Sequence, residues 1–283
     1  MAIPQRQCLK SALENRDIIP FIGVYDVFSA SIAAKYYDAL FISGFGFAAS
    51  HYGLPDIGFI AWSDIVAFVQ RVRTILPHHF ILVDIDDGYV DTAVACHVVS
   101  MLESIGASGV ILEDQKRPRR CGHLDGKLLM ETDEFLVKLR QVLATRQQLF
   151  VVARTDASDP QDILNRAQAY AAVGADAILV DGITDLAMIP PLKAAIDKPL
   201  VFNQIAGGKS PPCSLDELKQ AGVSLVNYST PCLFAAQAAI ETDMQLLRER
   251  DGLLVKDRIG VPECNVHLHQ NLVSRNHKIN HDR

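Results

Sequence analysis

The stretch Glu113-Asp114-Gln115-Lys116-Arg117-Pro118-Arg119-Arg120-Cys121-Gly122-His123 puts carboxylates, cations, a thiol and an imidazole within eleven residues. Those types supply an acid, a base, a nucleophile and a group for binding anions. The apolar run Gly109-Val110-Ile111-Leu112 before it reads as a buried strand that ends in Glu113 and Asp114. The rest is a long loop that delivers Cys121 beside Arg119, Arg120 and His123 before the next helix. Neighbouring positive charge predicts a lowered thiol pKa, so that Cys121 serves as thiolate or acid.

Two further carboxylates stand at the end of another apolar run, Phe80 to Ile85 and the residues just after it. Asp84 and Asp86 are two apart on a strand and share one face. With Glu113 they form an all-oxygen cluster whose mutual repulsion favours a divalent cation. Hard oxygen ligands without a nearby histidine suit Mg²⁺ or Mn²⁺ better than zinc. For Asp87 and Asp114 an ordinary turn and a solvated loop explain the residue equally well. Arg154 also closes a core strand, and a buried guanidinium there either clamps a substrate carboxylate or phosphonate or pairs with Asp156 or Asp181. Ser43-Gly44 offers hydroxyl and amide donors to a second anionic group, or is a plain strand-to-loop turn.

The elements that carry these residues alternate between short apolar strands and amphipathic helices. Strands are expected over 18–24, 39–43, 80–85, 108–112, 149–153, 176–180, 199–202 and 223–228. They are continuous apolar runs, as expected when both faces are covered. Helices are expected over 28–36, from a cap at Ser63-Asp64 to Arg73, over 91–104, from Thr132, from Asp159-Pro160 to Val173, over 184–196 and over 233–248. Eight such units in about 250 residues predict a (β/α)8 barrel over 1–250, followed by a polar or helical extension over 251–283. A doubly wound open sheet is disfavoured, because Val24-Tyr25-Asp26-Val27 is not a glycine-rich phosphate turn. In such barrels function gathers at the C-terminal ends of the strands. Those ends hold Tyr25 and Asp26, Ser43 and Gly44, Asp84 and Asp86, Glu113, Arg154 and Asp156, Asp181, Asn203, and Tyr228 and Ser229. The extension holds Cys264, His267 and His269 at a spacing that matches no structural zinc pattern, which favours a partly ordered tail or a subunit contact.

Composition limits the partners. A net charge of −6 without a basic stripe argues against nucleic acid. No long apolar segment predicts a signal peptide or a membrane span. Cys8, Cys96, Cys121, Cys213, Cys232 and Cys264 are scattered without a Cys-x-x-Cys pair, the usage of reduced thiols in a cytoplasmic protein.

Taken together, Tyr25-Asp26…Ser29-Ala30, Ser43-Gly44, Gly53-Leu54-Pro55-Asp56-Ile57-Gly58, Asp84-x-Asp86-x-Gly88-Tyr89, Glu113-Asp114-Gln115…Arg120-Cys121-Gly122-His123 and Ala153-Arg154-Thr155-Asp156-Ala157 resemble the isocitrate lyase/phosphoenolpyruvate mutase superfamily. The resemblance runs from about residue 8 to 250 and is greatest to its methylisocitrate lyase and carboxyphosphonoenolpyruvate mutase branches. It implies a Mg²⁺-dependent barrel, often a homotetramer, that holds a small anionic α-keto or 2-hydroxy acid. By position it implies Asp84 as direct metal ligand, with Asp86 and Glu113 beside it and Asp56 close by. Ser43, Gly44, Phe45, Asp56, Gly122, Arg154, Asp181 and Asn203 match substrate-binding positions. Cys121, Arg119, His123 and Tyr25 match catalytic ones, with Cys121 as the acid of the lid. The implied reaction is retro-aldol cleavage of a 2-hydroxy di- or tricarboxylate. Phosphonomutase chemistry, hydrolysis or decarboxylation of phosphonopyruvate or oxaloacetate, and a keto-acid-binding role without catalysis are the alternatives. Four positions depart from the pattern: Arg119 stands for a lysine, Asp181 for a glutamate, Ala206 for a glutamate and Val90 for a glycine.

Overall fold

The computed structural model describes residues 8–254 and 259–281, with side chains to residue 272. In chain order the elements are α1 (Leu9–Glu14), β1 (Ile19–Val24), α2 (Val27–Ala33), β2 (Ala39–Ile42), α3 (Gly44–Phe47), α4 (Trp62–Ile75), β3 (Phe80–Asp84) and α5 (Thr92–Ser104). Then follow β4 (Gly109–Glu113), α6 (Thr132–Thr145), β5 (Phe150–Thr155), α7 (Pro160–Ala172), β6 (Ala177–Val180), α8 (Ile189–Ala195), β7 (Leu200–Gln204), α9 (Leu215–Ala221), β8 (Val223–Tyr228), α10 (Pro231–Glu249) and α11 (Val261–His281). All eight strands pair in parallel, and β8 returns to β1, so the sheet is a closed (β/α)8 barrel.

The pleat explains where the polar residues go. One residue from each strand meets in the barrel interior: Phe21, Phe41, Leu82, Ile111, Val152, Leu179, Val201 and Leu225. Two residues further along each chain, on the same face, come Gly23, Ser43, Asp84, Glu113, Arg154, Asp181, Asn203 and Asn227. The interior is thus an apolar plug with a polar layer at its C-terminal mouth. At Gly23 a Cβ would stand 2.0 Å from the Ser229 carbonyl oxygen, so β1 adds only backbone to that layer. The outward residues of the strands pack with the helices into the second, larger core.

Helix starts follow local chemistry. Asp26 and Ser29 form a capping box on α2, Asp91 caps α5, Asp159 caps α7 ahead of Pro160, and Ser214 with Glu217 boxes α9. The expected cap at Ser63-Asp64 is not used. The helix begins at Trp62 after Ala61 without a side-chain cap, and Asp64 instead accepts the Tyr52 hydroxyl. The Ser43-Gly44 turn also differs from expectation, because Ser43 caps α3, which runs into a π-helical turn over Ala48–Tyr52.

The extension is helical. His267 of α11 is buried against α2, with Nε2 2.8 Å from Ser31 Oγ and its ring edge-on to Phe28. It is a packing residue in this arrangement. α10 buries none of its residues and exposes Ile240 and Met244. No helix among the described residues is long and apolar enough to cross a membrane.

Candidate active site

The mouth of the barrel holds the expected carboxylates, delivered partly by a route the strand pattern does not give. Asp84 ends β3 in the interior face. Asp86 has left its strand: its φ is 51°, and its amide donates to Asp84 Oδ1 at 3.1 Å. A left-handed turn, not strand alternation, therefore returns Asp86 to the side of Asp84. Gly44 covers the pair, since a Cβ there would lie 3.2 Å from both Asp84 Oδ2 and Asp86 Oδ1. Glu113 joins from β4 and Asp56 from the loop before α4, and all four are buried.

Two guanidinium groups enter this cluster. Arg119 Nε donates to Glu113 Oε1 at 2.7 Å, and Nη1 binds Asp56 and lies 3.3 Å from Asp86. Arg154 donates to both oxygens of Asp156, lies 2.7 Å from Asp181 Oδ2, and reaches Glu113 Oε2 at 3.3 Å. The internal salt bridges thus occupy most of the Arg154 donors, and a substrate anion would have to share them. Lys127 adds one more cation, 3.1 Å from Asp156. Six carboxylates (Asp56, Asp84, Asp86, Glu113, Asp156 and Asp181) face three cations.

That imbalance is the test of fit for a metal. Burial pushes Asp84 and Glu113 above the usual carboxylate range and Asp86 up to about 7, in spite of the guanidinium groups nearby. Asp86 Oδ1 and Glu113 Oε2 are buried without a hydrogen bond. An oxygen-only donor set with excess negative charge and spare acceptors fits a hard divalent cation in chemistry and charge. Among the described residues, no group of three acidic, histidine or cysteine side chains is arranged to hold an ion as it stands. Arg119 is wedged between Asp56, Asp86 and Glu113.

The loop after β4 lies closed over this mouth. Its neck is the bridge between Gln115 and Leu129, reinforced by Lys116 N–H to the Leu128 carbonyl at 2.7 Å. The Gln115 side chain binds both the amide and the carbonyl of Arg120. Beyond it, the Cys121 amide donates to the Asp56 carbonyl. A Cβ on Gly122 would come 1.9 Å from Asp181 Oδ2 and 2.5 Å from Arg154 Nη2, so only glycine fits there with the lid down. His123 is the latch. Its Nδ1 accepts the Lys209 amide at 2.9 Å, and its Nε2 faces Asp181 at 3.5 Å and Asn203 at 3.3 Å. Asn203 in turn donates to Asp181 and accepts from Ser229. Burial works upward on Asp181, yet Arg154, His123 and Asn203 outweigh it and hold its carboxyl well below the ordinary value. Asp181, which stands for a glutamate of the pattern, thus joins Arg154, His123 and Asn203 in one network.

The lowered pKa expected of Cys121 is not found. Burial, with Asp56 next, pushes its thiol up to about 12. Arg119 turns into the carboxylates, so its charge is spent on them. A neutral thiol is an acid, not a thiolate nucleophile.

Other residues have structural duties. Asp87 accepts Arg117 and the Tyr89 amide, as a turn residue does. Asp114 is not solvated: it is buried behind β4 against Arg166, Tyr170 and the Asp156 amide. Ser43 uses its oxygen to accept the Gly46 amide. Phe45 packs edge-on against Phe234 of α10. Tyr25 is half-buried, and among the described residues no hydrogen bond joins its hydroxyl to the carboxylates. Lys127, Lys209 and Ser229 were not singled out for these roles by sequence, and only the strand-end position of Ser229 signalled one of them.

Comparison with known proteins agrees with this fold. The family model of phosphoenolpyruvate phosphomutase matches residues 9–248. A 2-methylisocitrate lyase of Aeropyrum pernix is 30% identical over 246 residues, covering 86% of this chain and 79% of that protein. A crystal structure of 2,3-dimethylmalate lyase superposes with a TM-score of 0.88 at 30% identity, covering 96% of this chain and 92% of that one. Oxaloacetate acetylhydrolase with 3,3-difluorooxalacetate gives 0.89 at 29% identity, covering 95% of each chain. The chain belongs to the phosphoenolpyruvate phosphomutase family, within the isocitrate lyase/phosphoenolpyruvate mutase superfamily, and is a lyase.

Proposed function

We propose that the protein is a Mg²⁺-dependent carbon–carbon lyase that cleaves a small 2-hydroxy di- or tricarboxylate to an α-keto acid. The observation that carries this reading is the neutral, buried thiol of Cys121 on a lid closed over an anion-binding, carboxylate-lined mouth. Asp84, Asp86 and Glu113 would hold the cation, with Asp56 beside them. When bound, the cation supplies a Lewis acid for the oxygen charge that develops as the bond breaks. Arg154 and the Ser43-Gly44 segment bind and orient the substrate carboxylates. The substrate hydroxyl loses its proton as its carbon becomes the ketone, and the electron pair of the cleaved bond leaves with the departing carboxylate fragment. Cys121 Sγ–H then gives its proton to that carbon. Arg119 cannot accept the hydroxyl proton, since its pKa is above ~12; Asp56, the buried carboxylate beside the cation's three holders, is the group placed to take it. Gly122 and His123 keep water out while the lid is latched.

The likeness to oxaloacetate acetylhydrolase supports a second reading, hydrolysis of a β-keto dicarboxylate in the same mouth. One experiment separates the two. The purified chain with Mg²⁺ is given 2-methylisocitrate, 2,3-dimethylmalate, oxaloacetate and phosphonopyruvate. Pyruvate release is read with lactate dehydrogenase, and oxalate and acetate are read by chromatography. Pyruvate from a 2-hydroxy acid is expected. Oxalate plus acetate from oxaloacetate alone selects the hydrolase. No turnover together with tight oxalate binding leaves a binding role.

The exposed Ile240 and Met244 on α10 support a homo-oligomer, and with the superfamily resemblance we propose a homotetramer. Light scattering on the purified chain is expected to give four times the 31.1 kDa chain mass; a monomer at micromolar concentration sinks the proposal. The free cysteines support a cytoplasmic location.

A further inference from the structure

Arg119 leads the largest fully buried side chains of the protein, although it belongs to a surface loop. A guanidinium leaves water only where acceptors compensate it. Here Nε takes Glu113 Oε1, and Nη1 takes Asp56 and approaches Asp86. Those are three of the six carboxylates at the mouth of the barrel. Burial works to lower the pKa of this guanidinium, but Asp86, Glu113 and Asp56 outweigh it and hold the charge firmly in place. The seat is also shaped for the stem of the side chain. Gly58, at φ 87°, leaves the path open: a Cβ there would sit 3.1 Å from Arg119 Cγ. The departing position in the motif is therefore a cation that the chain itself inserts among the carboxylates.

We propose that Arg119 is a built-in competitor of the divalent cation: the lid closes with the guanidinium in the carboxylate seat, and cation binding expels it and loosens the lid. The proposal rests on reading those carboxylates as a divalent-cation site. Two cations a few ångströms apart in a buried site repel each other strongly. Arg119 already pairs with Asp86 and Glu113, two of the three carboxylates that would hold the divalent cation, so their charge cannot serve both in full. Other lid anchors, among them the Cys121 amide on the Asp56 carbonyl, His123 on Asp181 and Lys209, and Lys127 on Asp156, do not involve the Arg119 guanidinium and would remain after the exchange. Closure in the presence of the cation then depends on those anchors and on the substrate.

The test uses the full chain freed of metal and titrated with Mn²⁺, with free Mn²⁺ read by electron paramagnetic resonance. Arg119→Gln is expected to bind Mn²⁺ at least about tenfold more tightly than the wild type, a modest part of the effect of one nearby unit charge. Arg119→Lys keeps the charge and is expected to stay within about threefold of the wild type, a change of ~0.65 kcal/mol. Equal or weaker binding by Arg119→Gln overturns the competition and leaves the cation site standing. In the wild type alone, Mn²⁺ is expected to speed tryptic cutting after Arg119, Arg120 and Lys127 severalfold; protection by Mn²⁺ overturns the proposal without any variant. If neither the wild type nor the glutamine variant binds Mn²⁺, the reading of the carboxylates as a cation site fails, and the competition fails with it.

Discussion

Cys121→Ala is expected to lower turnover ~10²–10⁴-fold, the range in which a positioned general acid contributes. The loss falls on kcat, because the thiol meets the leaving carbon and adds little to ground-state binding. Cys121→Ser keeps a proton on a similar atom and is expected to recover part of the loss. The sign of the pH dependence follows from the thiol value of about 12. The acid must be protonated to act, so this group alone produces no alkaline fall in rate until the pH nears ~11. A wild-type rate that drops through pH 8–9, with the drop abolished in Cys121→Ser, would show a thiolate-forming cysteine and sink the assignment. So would an alanine variant with turnover within threefold of the wild type.

Asp84→Asn is expected to cost ~10³-fold or more in turnover, the equivalent of several kcal/mol of lost charge stabilisation. Mn²⁺ binding followed by paramagnetic resonance should weaken in parallel. Stability is expected to move the other way. The buried carboxylates at the mouth have folded-state pKa values above their unfolded ones, Asp86 at about 7. A group shifted upward contributes stability that is complete below ~4 and lost as the pH rises through its folded value. The metal-free protein should therefore weaken as the pH rises from ~4 through about 7. Asp84→Asn removes one of the repelling charges and should flatten that decline in thermal melts. Turnover within tenfold of the wild type and insensitive to EDTA would end the metal assignment.

Much of this site is legible in the sequence because a strand has a period of two. Ile111 places Glu113 inside the barrel, Val152 places Arg154, and Leu179 places Asp181, each by the same step along an apolar run. Helix starts at Asp91 and Asp159 are legible for the same kind of reason, since the cap's partner lies within one turn; the short helix capped by Ser214 is not among the expected elements. Where the chain leaves regular structure, the pattern no longer determines direction. Asp86 reaches Asp84 through a left-handed residue, which no alternation rule anticipates. In sequence Arg119 is one of several cations in a loop; its burial depends on Asp56, distant along the chain, and on the glycine at 58. At Cys121 neighbours in sequence are not neighbours in space: Arg119 turns away into Asp56 and Glu113, and burial governs the thiol. Sequence leaves Asp114 open between a loop carboxylate and a cluster member, because its partners Arg166 and Tyr170 arrive from a later helix.

The bridge between Gln115 and Leu129 has a consequence in chain statistics. Ordering an open connection removes conformational freedom from every residue between its ends, at ~1–2 kcal/mol per residue for the backbone. Pinning the neck assigns much of that cost to the folded barrel, where Lys116 N–H pairs with the Leu128 carbonyl and Met130 N–H with the Asp114 carbonyl. With that neck in place, any opening of the residues from Arg117 to Lys127 would be that of a small ring with joined ends. The entropy cost of closing it would be set by the ring, not by the whole span from β4 to α6.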